Sequence, residues 1–418
     1  MRDRSVSRRV VLGGAAAGVA GAWLAPVGAA VAAGHGPFGK AIDATAAIFD
    51  RGLVGLRRDI HRHPEVAGEE RRTSAVVAHW LRAAGLSVTT GIGGHGVVGV
   101  LSCVRPGRTV AYRADMDAVP PDEQIGGGTT LAHLCGHDIH TTVGIGIAQV
   151  LSRLRDRLAG RIVFVFQPGE ESLTGAAAML ADHVLERFAP SEIHALHCGP
   201  FPVGEIMVTP GTGLPGQDHG SISLTGPDAA SRAEELAARI NALGTVPRPS
   251  SPADLERLVA EIETPHGPLE RFVFMQARPV PVDGGAEVRF SYRCWPENRY
   301  VEVREAVGRL GPAVFPGDPF PALVTPEKYA LALRRHLLRT TGPGRTGEVH
   351  AAVPYSGEDF SLFLKRIPGS YSFLGVRRPG AGIETSYPHY VTFDPDERAI
   401  GHGVRAMAGW LAARAGAS

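Results

Sequence analysis

Four short apolar runs, Val97–Leu101, Thr109–Tyr112, Ile162–Phe166 and Ile193–Leu196, constrain the fold of this chain more than any other feature. Each is too short for a buried helix and is rich in β-branched or aromatic residues, so each reads as a buried strand. Around them lie amphipathic segments of helical length, Leu53–His61, Thr73–Leu86 and His140–Leu158. Strands alternating with helices imply an α/β domain. Ligand sites in open α/β sheets lie at the carboxyl ends of strands, and residues of metal-binding type follow directly on three of these runs.

His133-Leu-Cys-Gly-His-Asp-Ile-His140 carries a thiol and imidazoles, and Gln167-Pro-Gly-Glu-Glu171 adds paired carboxylates. Cys135 and His137 fix two donors on one turn, and Glu170, Glu171, His197 and His389 follow in chain order. Thiolate and imidazole suit a borderline-soft ion, while carboxylates suit a harder one or a second ion beside it. The set therefore predicts one or two divalent ions, with zinc, manganese, cobalt or nickel as candidates. Every donor also has an ordinary reading. A lone Cys135 is a small buried hydrophobe, a Glu–Glu pair is commonly solvated, and His389 in Ser-Tyr-Pro-His-Tyr fits a surface loop. Against this, Glu170 and Glu171 end an apolar strand, where two adjacent carboxylates need a reason.

Six segments then occur in one order: Arg57-Arg-Asp-Ile-His-Arg-His-Pro-Glu65, Tyr112-Arg-Ala-Asp-Met-Asp-Ala-Val-Pro120, Cys135-Gly-His-Asp-Ile-His140, Phe166-Gln-Pro-Gly-Glu-Glu171, His197 and Ser356-Gly-Glu-Asp-Phe360. In these the chain resembles the di-metal amidohydrolases related to hippurate hydrolase, auxin-amide hydrolases and N-acyl amino acid deacylases. The resemblance covers most of residues 45–215 and 350–412. It implies a zinc-exopeptidase-like catalytic domain over 34–215 and 319–418, with a smaller α+β lid inserted over 216–318. It implies Cys135, His137, Glu171, His197 and His389 as metal ligands and Glu170 as the general base, drawing a proton from a metal-activated water that attacks an amide carbonyl. Arg293 matches the family's lid arginine, which implies contact with a substrate carboxylate. The substrates implied are N-acyl amino acids, related small amides or dipeptides.

Neighbouring residues receive lesser roles. His140 is expected to start a helix, Asp138 to orient a ligating histidine, and Glu358 and Asp359 to cap a helix near the site. Asp115 either anchors the metal loop or is structural. His61, His63, Glu65, Glu69 and Glu70 read either as rim support or as a charged helix end.

The lid departs from the family pattern. Family members carry a Gly-x-x-His-Gly-x-x-Pro-His loop after the first lid strand, whose histidine polarises the substrate carbonyl, typically in the site of a dimer partner. Here Leu224-Thr-Gly-Pro-Asp228 leads straight into a helix, and Arg278-Pro-Val-Pro-Val-Asp283 replaces the family's Asn-x-Ile-Pro-Asp. His219 and His266 are the lid histidines available as substitutes. Two alternatives therefore stand beside the deacylase reading: the same centre turned to a larger or unusual substrate, or a metal-binding module with degenerate catalysis. Retention of Glu170 argues against the module, which has no need of a base.

Charge is balanced, Lys+Arg 43 against Asp+Glu 42, which leaves no electrostatic footprint for nucleic acid and favours a small molecule, for which the resemblance implies an amide. Ser7-Arg-Arg-Val-Val-Leu12 before a Gly/Ala-rich apolar stretch has the shape of a twin-arginine signal over residues 1–33. That predicts an exported, extracytoplasmic enzyme. The stretch is weakly hydrophobic and broken by Pro26, so no lasting membrane insertion is expected. Cys135 is expected outside any disulfide, with Cys103, Cys198 and Cys294 left open. A homodimer through the lid is compatible with the resemblance.

Overall fold

In the computed structural model, which describes residues 37–417, the strands are β1 (Ser87–Ile92), β2 (Gly96–Ser102), β3 (Arg105–Asp115), β4 (Ala159–Gln167), β5 (Ile193–Pro202), β6 (Ile206–Val208), β7 (Gly213–Leu214), β8 (Asp218–Thr225), β9 (Phe272–Val282), β10 (Gly285–Trp295), β11 (Leu323–Val324), β12 (Thr346–Glu348) and β13 (Gly369–Arg377). The helices are α1 (Pro37–His61), α2 (Arg71–Ala83), α3 (His137–Arg153), α4 (Gly175–Ala181), α5 (Val184–Phe188), α6 (Ala229–Asn241), α7 (Pro252–Ile262), α8 (Tyr300–Gly308), α9 (Glu327–Thr340), α10 (Phe360–Leu364) and α11 (Arg398–Ala415). The expected signal segment lies outside the described residues. None of the described helices is long and apolar enough to cross a membrane.

Eight strands form one mixed sheet in the order β1-β2-β4-β3-β5-β13-β6-β12. Its centre, β4-β3-β5-β13, is parallel, as the α/β reading requires. Period-two alternation feeds a core on each face. From β4, Ile162, Phe164 and Phe166 pack toward α1, α3 and α11, while Val163 and Val165 point to the layer of α4 and α10. Helix α3 runs beneath the sheet against α1 and α11, and every residue from His137 to Leu151 is buried. A helix buried on every side belongs in such a sandwich, and the polar residues of its first turns find partners inside it.

A second sheet, β8-β10-β9, has its own core. Ile222, Val288, Phe290 and Met275 pack against Ala233, Leu236 and Ile240 of α6. Arg278–Asp283, the altered family segment, forms the end of β9 and the turn after it. Its prolines sit on an edge strand that pairs with β10 alone, where a missing N–H breaks no central ladder. Rich in proline and serine, residues 245–252 read from sequence as a loop, and the structure keeps them as one only to Ser251. There the Ser251 side chain accepts the Asp254 N–H and Pro252 occupies the first turn, starting α7. Leu255, Leu258 and Ile262 of α7 join the core of the large sheet, not that of the small one.

Candidate metal centre and cleft

The centre is assembled at the carboxyl ends of β3, β4 and β5 and the start of α3. That helix begins at His137, earlier than the expected His140, because Gly136 caps it in the left-handed region at φ 88°. A Cβ at 136 would also meet Cys198 Sγ at 2.6 Å. Glycine between Cys135 and His137 is thus required twice, by backbone angle and by space.

All five expected ligands converge. Cys135 Sγ lies 3.3 Å from His197 Nε2, and His389 Nε2 lies 3.3 Å from Glu171 Oε2. His137 Nε2 lies between them, 3.7 Å from Glu171 Oε1 and 3.8 Å from both Glu170 Oε2 and Asp115 Oδ2. His137 Nε2 and Glu171 Oε1 are buried with no hydrogen-bond partner. Orphaned buried polar atoms of this kind call for a ligand, and a divalent cation satisfies a lone pair and a carboxylate together. The donor set therefore fits one or two such ions.

The rings are held for that task. His137 Nδ1 faces the Asp117 backbone oxygen at 3.0 Å and its Oδ1 at 3.2 Å, and His197 Nδ1 faces the Cys198 carbonyl at 2.8 Å. With Nδ1–H donating in each, both Nε2 lone pairs point inward. His389 is held at φ 69°, an uncommon conformation for a side-chain-bearing residue. Two backbone bonds keep it there, His389 N–H to Leu134 O at 2.9 Å and Ile125 N–H to His389 O at 2.8 Å.

Electrostatics point the same way. Burial opposes charge on His137, yet Asp115, Asp117 and Glu171 raise its pKa to about 10. Burial likewise opposes charge on Glu171, but His389 and His137 hold it down at about 2. A cluster that stabilises a cation so strongly on one ring has the field a metal ion needs. Burial, with Glu358, Glu171 and Asp359 around it, pushes Glu170 well above the usual carboxylate range. The Cys135 thiol is raised by burial and by Glu171 and Glu170, so a ligating thiolate requires a cation beside it.

Several lesser expectations are corrected. Asp138 does not orient a ligating histidine: it turns away to pair with Arg57 Nε at 2.7 Å and His61 Nδ1 at 2.8 Å. Asp117 does the orienting, and it also accepts the Glu171 N–H at 2.9 Å. His140 is inside the helix, bridging Asp115 Oδ1 at 2.6 Å and the Cys198 N–H at 2.7 Å. Glu358 accepts the Phe360 N–H at the start of α10, and Asp359, which makes no cap bond to α10 itself, accepts the Ala176 N–H in the first turn of α4 at 2.8 Å. Both also flank Arg113, whose buried guanidinium contacts Asp115 at 2.5 Å and Gln167 at 2.9 Å. Arg113 was not singled out from sequence, although four acidic or amide groups around one buried cation make it the keystone beneath Glu170. Of the rim residues, Glu70 reaches inward, accepting the Gly169 N–H at 2.7 Å, and Glu65 takes the Arg72 and Thr73 amides that open α2. All four cysteines are free.

Above the centre lies a cleft of about 840 Å³ lined by Cys135, Glu170, Glu171, His197, His389 and Arg293. Arg293 reaches in from β10. Its Nη2 donates to Gln217 Oε1 at 2.8 Å, while its buried Nη1 has no partner. Only Gly226–Asp228 separate β8 from α6, so the loop that carries the family's lid histidine is absent. Neither His219 nor His266 lines the cleft, and His266 stands exposed beside Glu270 at 3.5 Å.

A parallel-centred sheet with a mixed-donor centre at its strand ends and a cleft above it defines the class: metal-dependent hydrolases of amide carbon–nitrogen bonds. The chain belongs to peptidase family M20/M25/M40, which matches residues 111–413. It is 30% identical over 396 residues to thermostable carboxypeptidase 1 of Saccharolobus solfataricus, covering 85% of this chain and 93% of that one. It is 28% identical to an N-acetylcysteine deacetylase of Bacillus subtilis, over 84% of this chain and 94% of that one. Its fold matches the YXEP protein of Bacillus subtilis, a dinuclear metal binding peptidase from the M20 family, with a TM-score of 0.67 at 24% identity over 88% of this chain and 99% of that one.

Proposed function

We propose that the chain hydrolyses the amide bond of N-acyl amino acids or related small amides and dipeptides, with Cys135, His137, Glu171, His197 and His389 holding one or two divalent ions. The observation that carries this is Glu170 beside the inward-facing Nε2 of His137, at 3.8 Å, on the floor of a cleft that also holds Arg293, whose buried Nη1 has no partner. The ions, when bound, supply Lewis acidity and lower the pKa of the attacking water. Glu170 would take the proton of the attacking water and return it to the leaving amine. Glu358 and Asp359 lie close to Glu170 and raise its affinity for that proton, while Arg113 opposes them. Arg293 places a substrate carboxylate, because an anionic acceptor satisfies its orphaned Nη1. Export by the twin-arginine route and pairing of two copies through the small sheet remain part of the proposal, resting on Ser7–Leu12 and on the resemblance.

Glu170→Gln keeps shape without basicity. Hydrolysis of an N-acyl amino acid should fall by about a hundredfold or more, with metal content unchanged. Retained activity would remove Glu170 from the reaction, and lost metal would exchange its role with that of Glu171. One observation favours the alternative of a specialised substrate. No histidine of the small sheet reaches the cleft among the described residues, and loss of one such donor costs about a hundredfold to a thousandfold in rate. A substrate that needs more binding energy away from the reacting carbonyl suits that deficit.

A further inference from the structure

The cleft does not end at Arg293. A groove of about 1170 Å³ lies on the face of the small sheet turned away from α6, and it shares Arg248, Phe274, Gln276 and Ser291 with the cleft. Residues paired across strands put Phe274, Gln276 and Arg278 of β9 on this face, opposite Arg293, Ser291 and Arg289 of β10. Arg289 is neutralised by Glu287 at 2.6 Å. Arg248 and Arg278 have no ion pair among the described residues, so the groove carries two uncompensated guanidinium groups.

Arg248 is built into place at the junction. It sits in Val-Pro-Arg-Pro, where the flanking prolines hold the backbone extended and rigid. The Tyr355 hydroxyl donates to the Pro247 carbonyl at 2.8 Å. Phe274 packs edge-on against Tyr355 with ring centroids 4.9 Å apart, and the Arg248 guanidinium lies 5.8 Å from the Phe274 centroid. Arg278 lies four residues further along β9, about 13 Å from Phe274 at the usual strand rise. A cation held on a stiff loop and an aromatic shelf loses little entropy on binding an anion.

We propose that this groove is a second anion subsite, so that the amide substrate is dianionic: one carboxylate at Arg293, and a second anionic group at Arg248, with Arg278 receiving longer tails. The inference rests on the proposed amide hydrolysis for which group lies at Arg293. Its second charge has two sources, the side chain of the amino acid or the far end of the acyl chain. Recognition of that charge offsets the missing carbonyl donor with binding energy remote from the reacting bond.

The test uses the full metal-loaded chain and two matched pairs, N-hexanoyl-glutamate against N-hexanoyl-glutamine, and N-glutaryl-leucine against N-pentanoyl-leucine. Within at least one pair the charged member should be preferred about tenfold in kcat/KM, as for one charge-assisted contact. Arg248→Ala should bring that ratio close to one. The pair that responds names the source of the charge. The same compounds are titrated calorimetrically into the Glu170→Gln protein, where binding is read without turnover. A charge preference in binding that Arg248→Ala removes would keep the subsite even if no compound is hydrolysed, and would then overturn the amide reading alone. No preference in either measurement, or a preference indifferent to Arg248→Ala and Arg278→Ala, overturns the subsite. A change from dimer to monomer on Arg278→Glu with ratios unaltered would instead assign the groove to a second copy of the chain, and would also overturn it.

Discussion

Replacing Asp117 by Asn perturbs the metal centre without touching a proposed ligand. Asp117 is fully buried. One carboxylate oxygen steers His137 Nδ1 at 3.2 Å and the other fixes the Glu171 backbone at 2.9 Å. Asparagine keeps the shape but has one accepting oxygen, so one of these bonds is lost, along with a negative charge near the ions. A hydrogen bond to a charged group contributes about 1.5–3 kcal/mol. Replacing a group that orients a metal ligand weakens metal binding by about tenfold to a hundredfold. The Asp117 backbone oxygen stays 3.0 Å from His137 Nδ1 and preserves the tautomer, which places the expected loss near tenfold. The assay is competition for zinc against a chromophoric chelator, with urea melts of the metal-free protein as the folding control. Unchanged affinity would refute the claim that Asp117 sets His137. Complete loss of metal from a folded protein would refute it differently, by making Asp117 a ligand.

Arg113→Met should destabilise the protein by about 3–5 kcal/mol in urea melts, because it strands buried carboxylates; a change under about 1 kcal/mol would show that they take up protons instead. Gly357→Ala puts a Cβ 2.4 Å from Arg293 Nη1. The guanidinium, at the end of a flexible side chain, must move, so KM for carboxylate-bearing substrates should rise about fivefold or more with melting unchanged; an unaltered KM would remove Arg293 from recognition. Burial, with Arg345, Arg405 and Arg398 nearby, holds His402 down at about 4. The unfolded chain, with its ordinary value near 6.5, binds the proton first as pH falls. Stability should therefore decline from about pH 6.5 to pH 4 and be insensitive to this group above that window. His402→Gln should flatten the decline, and an identical acid limb in the variant would place the sensitivity elsewhere.

The strands of the large sheet were legible because buried strands leave uninterrupted apolar runs, and β2 to β5 contain Val97–Leu101, Thr109–Tyr112, Ile162–Phe166 and Ile193–Leu196. The five converging donors were legible because rare residue types recur in a fixed order. Helix starts were less so. Nothing local in Cys-Gly-His-Asp-Ile-His says that the helix opens at His137; the requirement comes from Cys198, which fills the space a Cβ on Gly136 would need. Helix α7 was missed because its loop-like lead, rich in proline and serine, masks the Leu255, Leu258 and Ile262 spacing behind it. The partners of Asp117 and Arg113 were invisible, since each is met by residues distant in the chain.

By itself the sequence determined which chemistry the protein carries: the order and type of Cys135, His137, Glu170, Glu171, His197 and His389, and the strands that end beside them. Tertiary structure alone decided which carboxylate orients a ring, which lie beside Glu170, and that Arg248 and Arg293 share one continuous cleft. The physical reason is range. Apolar periodicity and rare donor types are properties of neighbouring residues, whereas a buried charge is defined by whatever the fold brings against it, as Glu358 and Asp359 are brought to Arg113 from the far end of the chain.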